Sequence, residues 1–302
     1  MKLLVIGPHQ SASMGSAEGR ARQALQAAAV ERYVVYTPRA GEGKLSAALR
    51  ILRETKKEEF DTVSAQDPFF VGLVAWKVAR RAGARFNVQV HADLYGQSFL
   101  RHILAQIVLR HADSVRVVSE KIKTQVDRMG VQAKITVLPV YIDVSRFTGL
   151  QRTPERMVLW IGRFEKEKDP LLVLEILKSV PDVKLVMLGA GSMEAMLKEK
   201  AKNLPVEFPG WQDPLGYFVR AGVVVCTSPA ESFGMSMVEA LAAGVPVVAS
   251  DVGVAKEAGA IVVPREKLAE AVAETLRMGE RGRLQLPLLN KEAWVKAWKE
   301  SL

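Results

Sequence analysis

Residues 223–251 read VVVCTSPAESFGMSMVEALAAGVPVVASD, and this stretch decides the fold. Its pattern is that of a buried strand, a loop, a short helix of small and apolar residues and a second buried strand, which is typical of an α/β domain. Glu239 is the only formal charge between residues 233 and 250. A carboxylate in such an apolar helix needs a hydroxyl or a cation as its partner. We therefore expect Glu239 to bind a polar group.

A second carboxylate lies in the loop before this helix. Seven residues separate Glu231 from Glu239. The start of the helix between them, at Ser232, Phe233 and Gly234, offers free backbone N–H groups that suit an anion. A phosphate flanked by two hydroxyl-binding carboxylates is the description of a sugar nucleotide, so the stretch predicts a site for that kind of ligand.

The composition is that of a soluble globular protein. The chain has 302 residues, of which 49% are hydrophobic and 25% charged, and this favours two α/β domains of ordinary size. The single cysteine, Cys226, excludes an intrachain disulfide, and one Cys with four His argues against a zinc site. Because the sequence has neither a secretory signal nor an apolar run that would span a bilayer, we expect a cytoplasmic protein.

The net charge of +9 is unevenly distributed. Residues 1–150 contain 22 basic and 13 acidic side chains, whereas residues 151–302 contain 20 of each. The excess favours an anionic partner of the first half, such as a phospholipid surface or a nucleic acid. Solubility is the alternative explanation.

Short apolar runs alternate with helical patterns in the first half, which predicts a doubly wound parallel sheet. Ligands bind outside the carboxyl ends of such strands, where His91 lies; its position favours a function over a satisfied core histidine. The loop after the first strand holds Gly7 and Gly15, which are too far apart for the dinucleotide fingerprint but allow approach to a phosphate. The predicted strands are residues 3–6, 33–36, 62–65, 86–90, 114–118 and 135–138.

Two predicted helices, residues 44–57 and 99–110, are basic and amphipathic. We expect their apolar faces to pack on the sheet, and contact with a membrane surface is the alternative that suits their basic borders, for example Arg101 and Arg110. The apolar faces comprise Leu45, Ala48, Leu49 and Leu52 in the first helix, and Phe99, Leu100, Ile103, Leu104, Ile107 and Val108 in the second.

A second alternating pattern begins at Met157, after a polar linker at residues 145–154. Arg163 and Lys168 follow its first strand, where they can clamp a diphosphate, Arg by its planar fork and Lys as a point charge. Two solvated surface cations are the alternative. Gly189 opens a Gly-Ala-Gly run that permits close backbone approach. The predicted strands are residues 158–161, 183–188, 206–208 and 261–263, with two more in the opening stretch.

Over most of its length the chain resembles the glycosyltransferase group 1 proteins, also called glycosyltransferase family 4. The most specific match is the E-x7-E signature from Glu231 to Glu239, followed by Ala-Leu-Ala-Ala-Gly-Val-Pro. Further matches, in the family's order, are Gly-Ser-Ala-Glu at 15–18, His-x-Asp at 91–93, Gly-Arg-Phe at 162–164 with Lys168, Gly-Ala-Gly at 189–191 and Phe-Pro-Gly at 208–210.

The resemblance implies the GT-B fold, in which two Rossmann-like, doubly wound parallel-sheet domains face an interdomain cleft. Residues 1–148 would be the acceptor-side domain and residues 149–302 the nucleotide-sugar-binding domain, with the last helix free to pack back on the first domain. It also implies a metal-independent, retaining transferase that moves a hexose-like sugar from UDP or GDP to an acceptor hydroxyl of a lipid-linked or cell-envelope glycan. No cofactor, metal or nucleic acid is expected, and contact of the basic first domain with the inner face of an anionic membrane is a further expectation.

Roles for individual residues also follow from the resemblance. Arg163 and Lys168 would hold the donor diphosphate, and Glu239 would bind the nucleotide ribose. Glu231 would contact the hydroxyls of the transferred sugar, while His91 would touch that sugar and stabilise a developing oxocarbenium-like state. The donor-binding set comprises Gly15, Arg163, Lys168, Gly189, Phe233, Gly234 and Glu239, and the catalytic set comprises His91 and Glu231.

Two segments depart from the family pattern. The usual Pro-Asn-Gly-Val-Asp at the domain junction reads Pro-Val-Tyr-Ile-Asp at 139–143, and the segment after Asp251 is shorter than is typical.

Two other functions are kept as alternatives. One is a GT-B sugar-nucleotide epimerase, which needs no acceptor, and the other is a non-catalytic basic module that binds a membrane or a nucleic acid.

Overall fold

The computed structural model describes residues 1–7 and 17–302. The chain forms two compact units, Met1–Tyr141 together with Leu289–Leu302, and Ile142–Leu288. The sequence placed the boundary at residue 148, seven residues later. The structure assigns residues 142–148 to the second unit because the ring of Phe147 is buried against Phe218, with 5.5 Å between the ring centroids.

The first unit is built on a six-stranded sheet in the order β2-β1-β3-β4-β5-β6, and all neighbouring strands are parallel. The predicted doubly wound sheet is therefore confirmed here. The strands are β1 (Lys2–Ile6), β2 (Arg32–Tyr36), β3 (Thr62–Ala65), β4 (Arg85–Val90), β5 (Ser114–Val117) and β6 (Lys134–Val137). The helices are α1 (Ala17–Ala28), α2 (Lys44–Glu54), α3 (Phe70–Ala82), α4 (Phe99–Arg110) and α5 (Glu120–Asp127).

The second unit repeats this architecture with a sheet in the order β12-β11-β10-β7-β8-β9, again all parallel. The strands are β7 (Met157–Ile161), β8 (Lys184–Leu188), β9 (Val206–Gly210), β10 (Val223–Cys226), β11 (Val247–Ala249) and β12 (Ile261–Val262). The helices are α6 (Pro170–Ser179), α7 (Glu194–Lys200), α8 (Leu215–Arg220), α9 (Met235–Ala242), α10 (Ala255–Ala258) and α11 (Leu268–Met278). The strand order reverses between β7 and β10, as in a Rossmann fold.

The last helix, α12 (Lys291–Glu300), packs on the first unit. Trp294 and Trp298 share a core with Leu3 and Val5 of β1. The indole nitrogen of Trp294 donates a hydrogen bond of 2.8 Å to the carbonyl of Pro139. The apolar side chains of this helix thus pack against β1, which lies almost three hundred residues earlier in the chain.

The expectation that the apolar faces of α2 and α4 pack on the sheet is wrong for their largest side chains. Helix α4 instead packs through Ala105, Val108 and Leu109. Val108 approaches α3 so closely that a Cβ added at Gly72 would lie 2.6 Å from Val108 Cγ1. This contact fixes the rotation of α4. The residues of the predicted faces that it leaves exposed are Leu45, Leu49, Phe99, Leu100, Ile103 and Ile107.

Candidate functional site

The donor-side residues predicted from the sequence meet at the carboxyl ends of β7 and β10. Arg163 and Lys168 follow β7, and Glu231, Phe233 and Gly234 follow β10. These two strands are neighbours at the point where the strand order reverses. The connections after them leave toward opposite faces of the sheet, which opens a crevice at that edge.

An ion pair joins the two loops. Lys168 Nζ lies 2.5 Å from Glu231 Oε1, and the two side chains are 23% and 14% exposed. The same oxygen accepts a hydrogen bond of 2.8 Å from Ser228 Oγ. The loops are also joined by Thr227 Oγ1, which donates to the carbonyl of Lys168 and accepts from the Trp160 indole. The carboxylate of Glu231 is therefore held in a fixed place beside a cation.

Arg163 is less constrained than Lys168. Its guanidinium lies 2.7 Å from Glu167 Oε1, and both side chains are about half exposed. Exposed ion pairs of this kind contribute little net stability. Arg163 can therefore leave Glu167 for a stronger anion at small cost.

The start of α9 presents unused donors. Gly234 adopts a φ of +98°, which favours glycine, and the helix begins at the next residue. Neither the backbone N–H of Phe233 nor that of Gly234 has an acceptor within the described part of the chain. The Phe233 ring is buried, and the backbone carbonyl of Phe233 accepts a hydrogen bond from the backbone N–H of Val254. This fixed helix start favours an anion near the free N–H groups.

Glu239 and Gly189 lie on elements beside this crevice. Glu239 is half-buried in α9. Gly189 follows β8 with a φ of +153°, and a Cβ there would lie 1.8 Å from the carbonyl oxygen of Gly162. The absence of a side chain at Gly189 is thus required by the contact between two loops, and a role toward a ligand stays a prediction.

His91 belongs to the first unit, where it follows β4. Its Nε2 is enclosed and has no hydrogen-bond partner among residues 1–7 and 17–302. Burial, and to a smaller extent the charges of Arg116 and Arg22, lower the pKa of His91 to about 3. The imidazole is therefore neutral at physiological pH. Arg116 is itself buried and donates to Gln89 and to two backbone carbonyls, and burial lowers its pKa to about 9.

Two other residues singled out from the sequence, Asp93 and Gly15, lie in the first half of the chain. Asp93 Oδ1 accepts from the backbone N–H groups of Tyr95 and Gly96, and Oδ2 accepts from Gln125. Asp93 therefore shapes the turn after β4. Gly15, assigned to donor binding, lies outside the described residues.

Several residues next to the predicted site residues were not identified from the sequence. Arg265 forms an ion pair with Asp169 and donates to the carbonyl of Thr227, which ties the start of α6 to the loop after β10. No local pattern signals a pair 96 residues apart. Ser228 offered one weak signal, because a hydroxyl three residues before a carboxylate can hydrogen-bond to it.

Two cavities open in the second unit. One of about 480 Å³ lies at the carboxyl ends of β10 to β12, between Pro229 and Arg265. A larger one, of about 660 Å³, is lined by Arg152, Glu155 and Arg281 and lies at the amino ends of β7 and β10. The larger cavity is therefore on the opposite edge of the sheet from Lys168 and Glu231.

Three further features of the described residues concern metal binding, the single thiol and the lengths of the helices. In residues 1–7 and 17–302, no cluster of three or more His, Cys, Asp or Glu side chains is arranged to hold a metal ion. Burial, followed by the charge of Glu231, raises the pKa of the Cys226 thiol. None of the helices in these ranges is long and apolar enough to cross a membrane.

Two family profiles match the chain, one over most of each unit. The profile described as "Glycosyl transferases group 1" matches residues 142–284. The profile described as "Glycosyltransferase Family 4" matches residues 6–146. Together these two matches account for nearly all of the chain.

Curated relatives resemble the chain over part of their length. A GDP-mannose-dependent alpha-(1-6)-phosphatidylinositol dimannoside mannosyltransferase of Mycobacterium tuberculosis is 29% identical over 203 residues, which is 59% of this chain and 52% of the relative. The alpha-monoglucosyldiacylglycerol synthase of Streptococcus pneumoniae is 26% identical over 271 residues, 75% of this chain and 61% of the relative. The chain thus spans about half to three-fifths of the length of these relatives.

Solved structures establish the fold. Anabaena HepE in complex with UDP and glucose matches with a TM-score of 0.72 at 15% identity, and the match covers 99% of this chain and 94% of that one. The lipopolysaccharide outer core galactosyltransferase WaaB matches with a TM-score of 0.68 at 17% identity over 100% of this chain and 95% of that one. The implied GT-B fold is confirmed.

Proposed function

Since the chain belongs to the glycosyltransferase group 1 family, glycosyltransferase family 4, we propose that it transfers a hexose-like sugar from a UDP- or GDP-linked donor to an acceptor hydroxyl with retention and without a metal. The observation that carries the proposal is the ion pair of Lys168 with Glu231 at the carboxyl ends of β7 and β10. It holds a cation and a carboxylate together, and a sugar nucleotide requires one for its diphosphate and the other for its hydroxyls.

Donor binding is assigned to the second unit. The diphosphate binds Lys168 and Arg163, and the backbone N–H groups of Phe233 and Gly234 donate to it. Glu239 receives the ribose hydroxyls. Glu231, once Lys168 has turned to the diphosphate, accepts hydrogen bonds from the hydroxyls of the sugar.

The same groups take up the charge that develops as the diphosphate leaves. Fixed cations and the N-terminal end of α9 stabilise that charge in the way a divalent ion does in other transferases. The acceptor hydroxyl attacks on the face that the diphosphate vacates and passes its proton to the departing phosphate oxygen, so the anomeric configuration is retained. The neutral imidazole of His91 contacts the donor sugar without opposing the positive charge that grows on its anomeric carbon.

A lipid-linked or cell-envelope glycan is the proposed acceptor. The support is that relatives are named for phosphatidylinositol dimannoside, teichuronic acid and monoglucosyldiacylglycerol synthesis. The excess of basic residues in the first unit adds contact with an anionic membrane to the proposal. The variant Arg101→Gln tests that contact, whereas Arg110 already donates to the carbonyl of Met129 and serves the fold.

A panel of UDP- and GDP-sugars scored by thermal shift tests donor binding, because a ligand of the folded state raises its stability. Arg163→Ala and Lys168→Ala should remove the shift. Lys178→Ala is the matched control, since Lys178 forms an exposed ion pair with Glu175 on α6. If no sugar nucleotide shifts the wild type, or if Lys168→Ala changes nothing, the proposal is wrong.

Product analysis tests the reaction. Transfer with retention gives a product with the anomeric configuration of the donor, at a rate unchanged by EDTA. Release of an altered sugar or sugar nucleotide in the absence of any acceptor identifies an epimerase instead. Salt-dependent binding to polynucleotide or vesicles without donor affinity identifies the non-catalytic module.

A further inference from the structure

The larger cavity of the second unit, of about 660 Å³, takes no part in the proposed donor site. It lies at the amino ends of β7 and β10, whereas Lys168 and Glu231 lie at the carboxyl ends of these strands. Its volume is in the range of sites that bind small molecules. Three arginines line it, Arg152, Arg156 and Arg281. Several cations on the wall of one cavity suit an anionic ligand.

Hydrogen bonds to the backbone hold Arg152 in a fixed position. Its Nε donates to the carbonyl of Phe218 over 3.3 Å, and its Nη1 and Nη2 donate to the carbonyls of Gly244 and Ala221. A guanidinium carries five N–H donors. Three of them are used by these three carbonyls, so two remain for a ligand. Donors on a fixed guanidinium are well suited to the oxygens of a phosphate, because little conformational freedom is lost when they bind it.

Arg281 lies beside Arg152. Both side chains approach Gly244, where an added Cβ would lie 3.2 Å from Arg281 Nη2 and 3.7 Å from Arg152 Cδ. Burial, followed by the charge of Arg281, lowers the pKa of Arg152. Neither arginine has a carboxylate partner among residues 1–7 and 17–302. Two like charges held together repel each other, and an anion bound between them would replace that repulsion with attraction.

The two acids that line the cavity do not cancel this positive charge. Glu155 Oε1 lies 2.7 Å from Nε of Arg220, which is outside the lining. Glu280 is exposed and opposes three arginines alone. The third of them, Arg156, donates to two backbone carbonyls. The remaining excess of positive charge favours a dianion, and a phosphate monoester is close to dianionic at pH 7.

We propose that this cavity binds the phosphate monoester of a small metabolite, with the phosphate held between Arg152 and Arg281. The cavity is much larger than a phosphate group alone needs, since a water molecule takes about 30 Å³ in the liquid. The organic part of the ligand therefore lies in the same cavity, where Leu150, Pro154 and Leu276 offer apolar contacts. This second site is separate from the proposed donor site, and it does not depend on the proposed function.

Calorimetric titration of the full chain with inorganic phosphate, ribose 5-phosphate and AMP tests the second site. Every titration is repeated in the Lys168→Ala background, because the proposed donor site also attracts phosphate groups. In both backgrounds at least one of the two esters should bind, and more tightly than inorganic phosphate does. A sugar phosphate and a nucleotide are compared because they carry the same phosphate on different organic groups.

Two substitutions of opposite sign locate the binding. Arg281→Gln should weaken ester binding roughly tenfold, because a charged donor to the phosphate is lost. Glu280→Gln should tighten it roughly threefold, because a carboxylate that repels the phosphate is lost. Arg277→Gln is the matched control, since Arg277 is an exposed arginine of α11 that is paired with Glu274 and lies outside the lining. It should bind the esters as the wild type does.

Circular dichroism and the donor-induced thermal shift are measured on the same samples, and both should be unchanged in Arg281→Gln and Glu280→Gln. Wild-type ester affinity in Arg281→Gln overturns the second site, as does weaker binding in Glu280→Gln. Loss of all ester binding in Lys168→Ala would assign the phosphate to the donor site and overturns it too, as does inorganic phosphate that binds as tightly as both esters. If ester binding fails while donors still stabilise the protein, only the second site is lost. If donors fail while ester binding follows the expected pattern, only the proposed function is lost.

Discussion

Glu231→Gln is expected to bind a free nucleoside diphosphate more tightly than the wild type does, while sugar transfer is lost. Lys168 Nζ lies 2.5 Å from Glu231 Oε1, so a bound diphosphate would compete with the carboxylate for the ammonium. Unit charges about 4 Å apart interact by about 4 kcal/mol at an effective dielectric constant of about 20. Partial exposure and desolvation reduce the net value to about 1–2 kcal/mol. The diphosphate should therefore bind about 5- to 30-fold more tightly.

Calorimetric titration with UDP and GDP measures the affinity, and initial rates with the donor measure transfer. Gln keeps the shape of Glu231 and can still accept from Ser228, so the change isolates the charge. Lys168→Met should weaken diphosphate binding at least tenfold, because it removes the ammonium. Glu175→Gln is the control, since it removes an exposed partner of Lys178. Unchanged diphosphate affinity in both Glu231→Gln and Lys168→Met would refute the assignment of Lys168.

Three further predictions concern stability. His91 has a folded pKa of about 3, so the unfolded chain binds more protons between about pH 3 and pH 6.5, and the stability present above pH 6.5 is lost as the pH falls. Measured by urea denaturation, the free energy of unfolding of the wild type should therefore fall by up to about 2 kcal/mol more than that of His91→Gln between pH 7.5 and pH 5. An equal fall in both proteins contradicts the low pKa. Gly189→Ala should cost about 3 kcal/mol or more, because its Cβ meets the Gly162 carbonyl at 1.8 Å. Gly216→Ala, at an exposed position of α8 where an added Cβ would meet no described atom within 4 Å, should raise the free energy of unfolding by about 0.5–1 kcal/mol, and equal thermal midpoints for the two variants would contradict the steric argument. Arg116→Leu should cost about 3 kcal/mol, since it leaves buried carbonyls and Gln89 without their donor, and a change in the urea midpoint as small as that of exposed Arg53→Gln would contradict this.

The sheets were predictable because each strand is a short apolar run followed by a helical pattern. Residues 62–65 were predicted as a strand and form β3, and residues 99–110 were predicted as a helix and form α4. Parallel strands buried on both faces leave this continuous signal in the sequence. The boundary between the units was less predictable, because nothing local in residues 142–148 reveals that Phe147 packs on Phe218.

The side of α4 that is buried could not be predicted. Its apolar residues spread over more than half of the helix surface, so periodicity alone allows several rotations. In the structure Val108 packs against α3 at Gly72, where a side chain would clash with it, and Phe99 and Leu100 are exposed. A contact with a neighbouring helix of this kind leaves no signal in the periodicity of α4.

Motif order identified Lys168 and Glu231 separately, but it carried no information that the two side chains are paired across 63 residues. That pairing changes how the proposed site works. A lone Lys168 would have to lose its hydration to bind a diphosphate, and a lone Glu231 would lose its own hydration to bind hydroxyls. In the ion pair both groups are already partly removed from water, so the donor exchanges one partner for another. Under the proposed roles, Glu231 Oε1 becomes available to the hydroxyls of the sugar when the diphosphate takes Lys168.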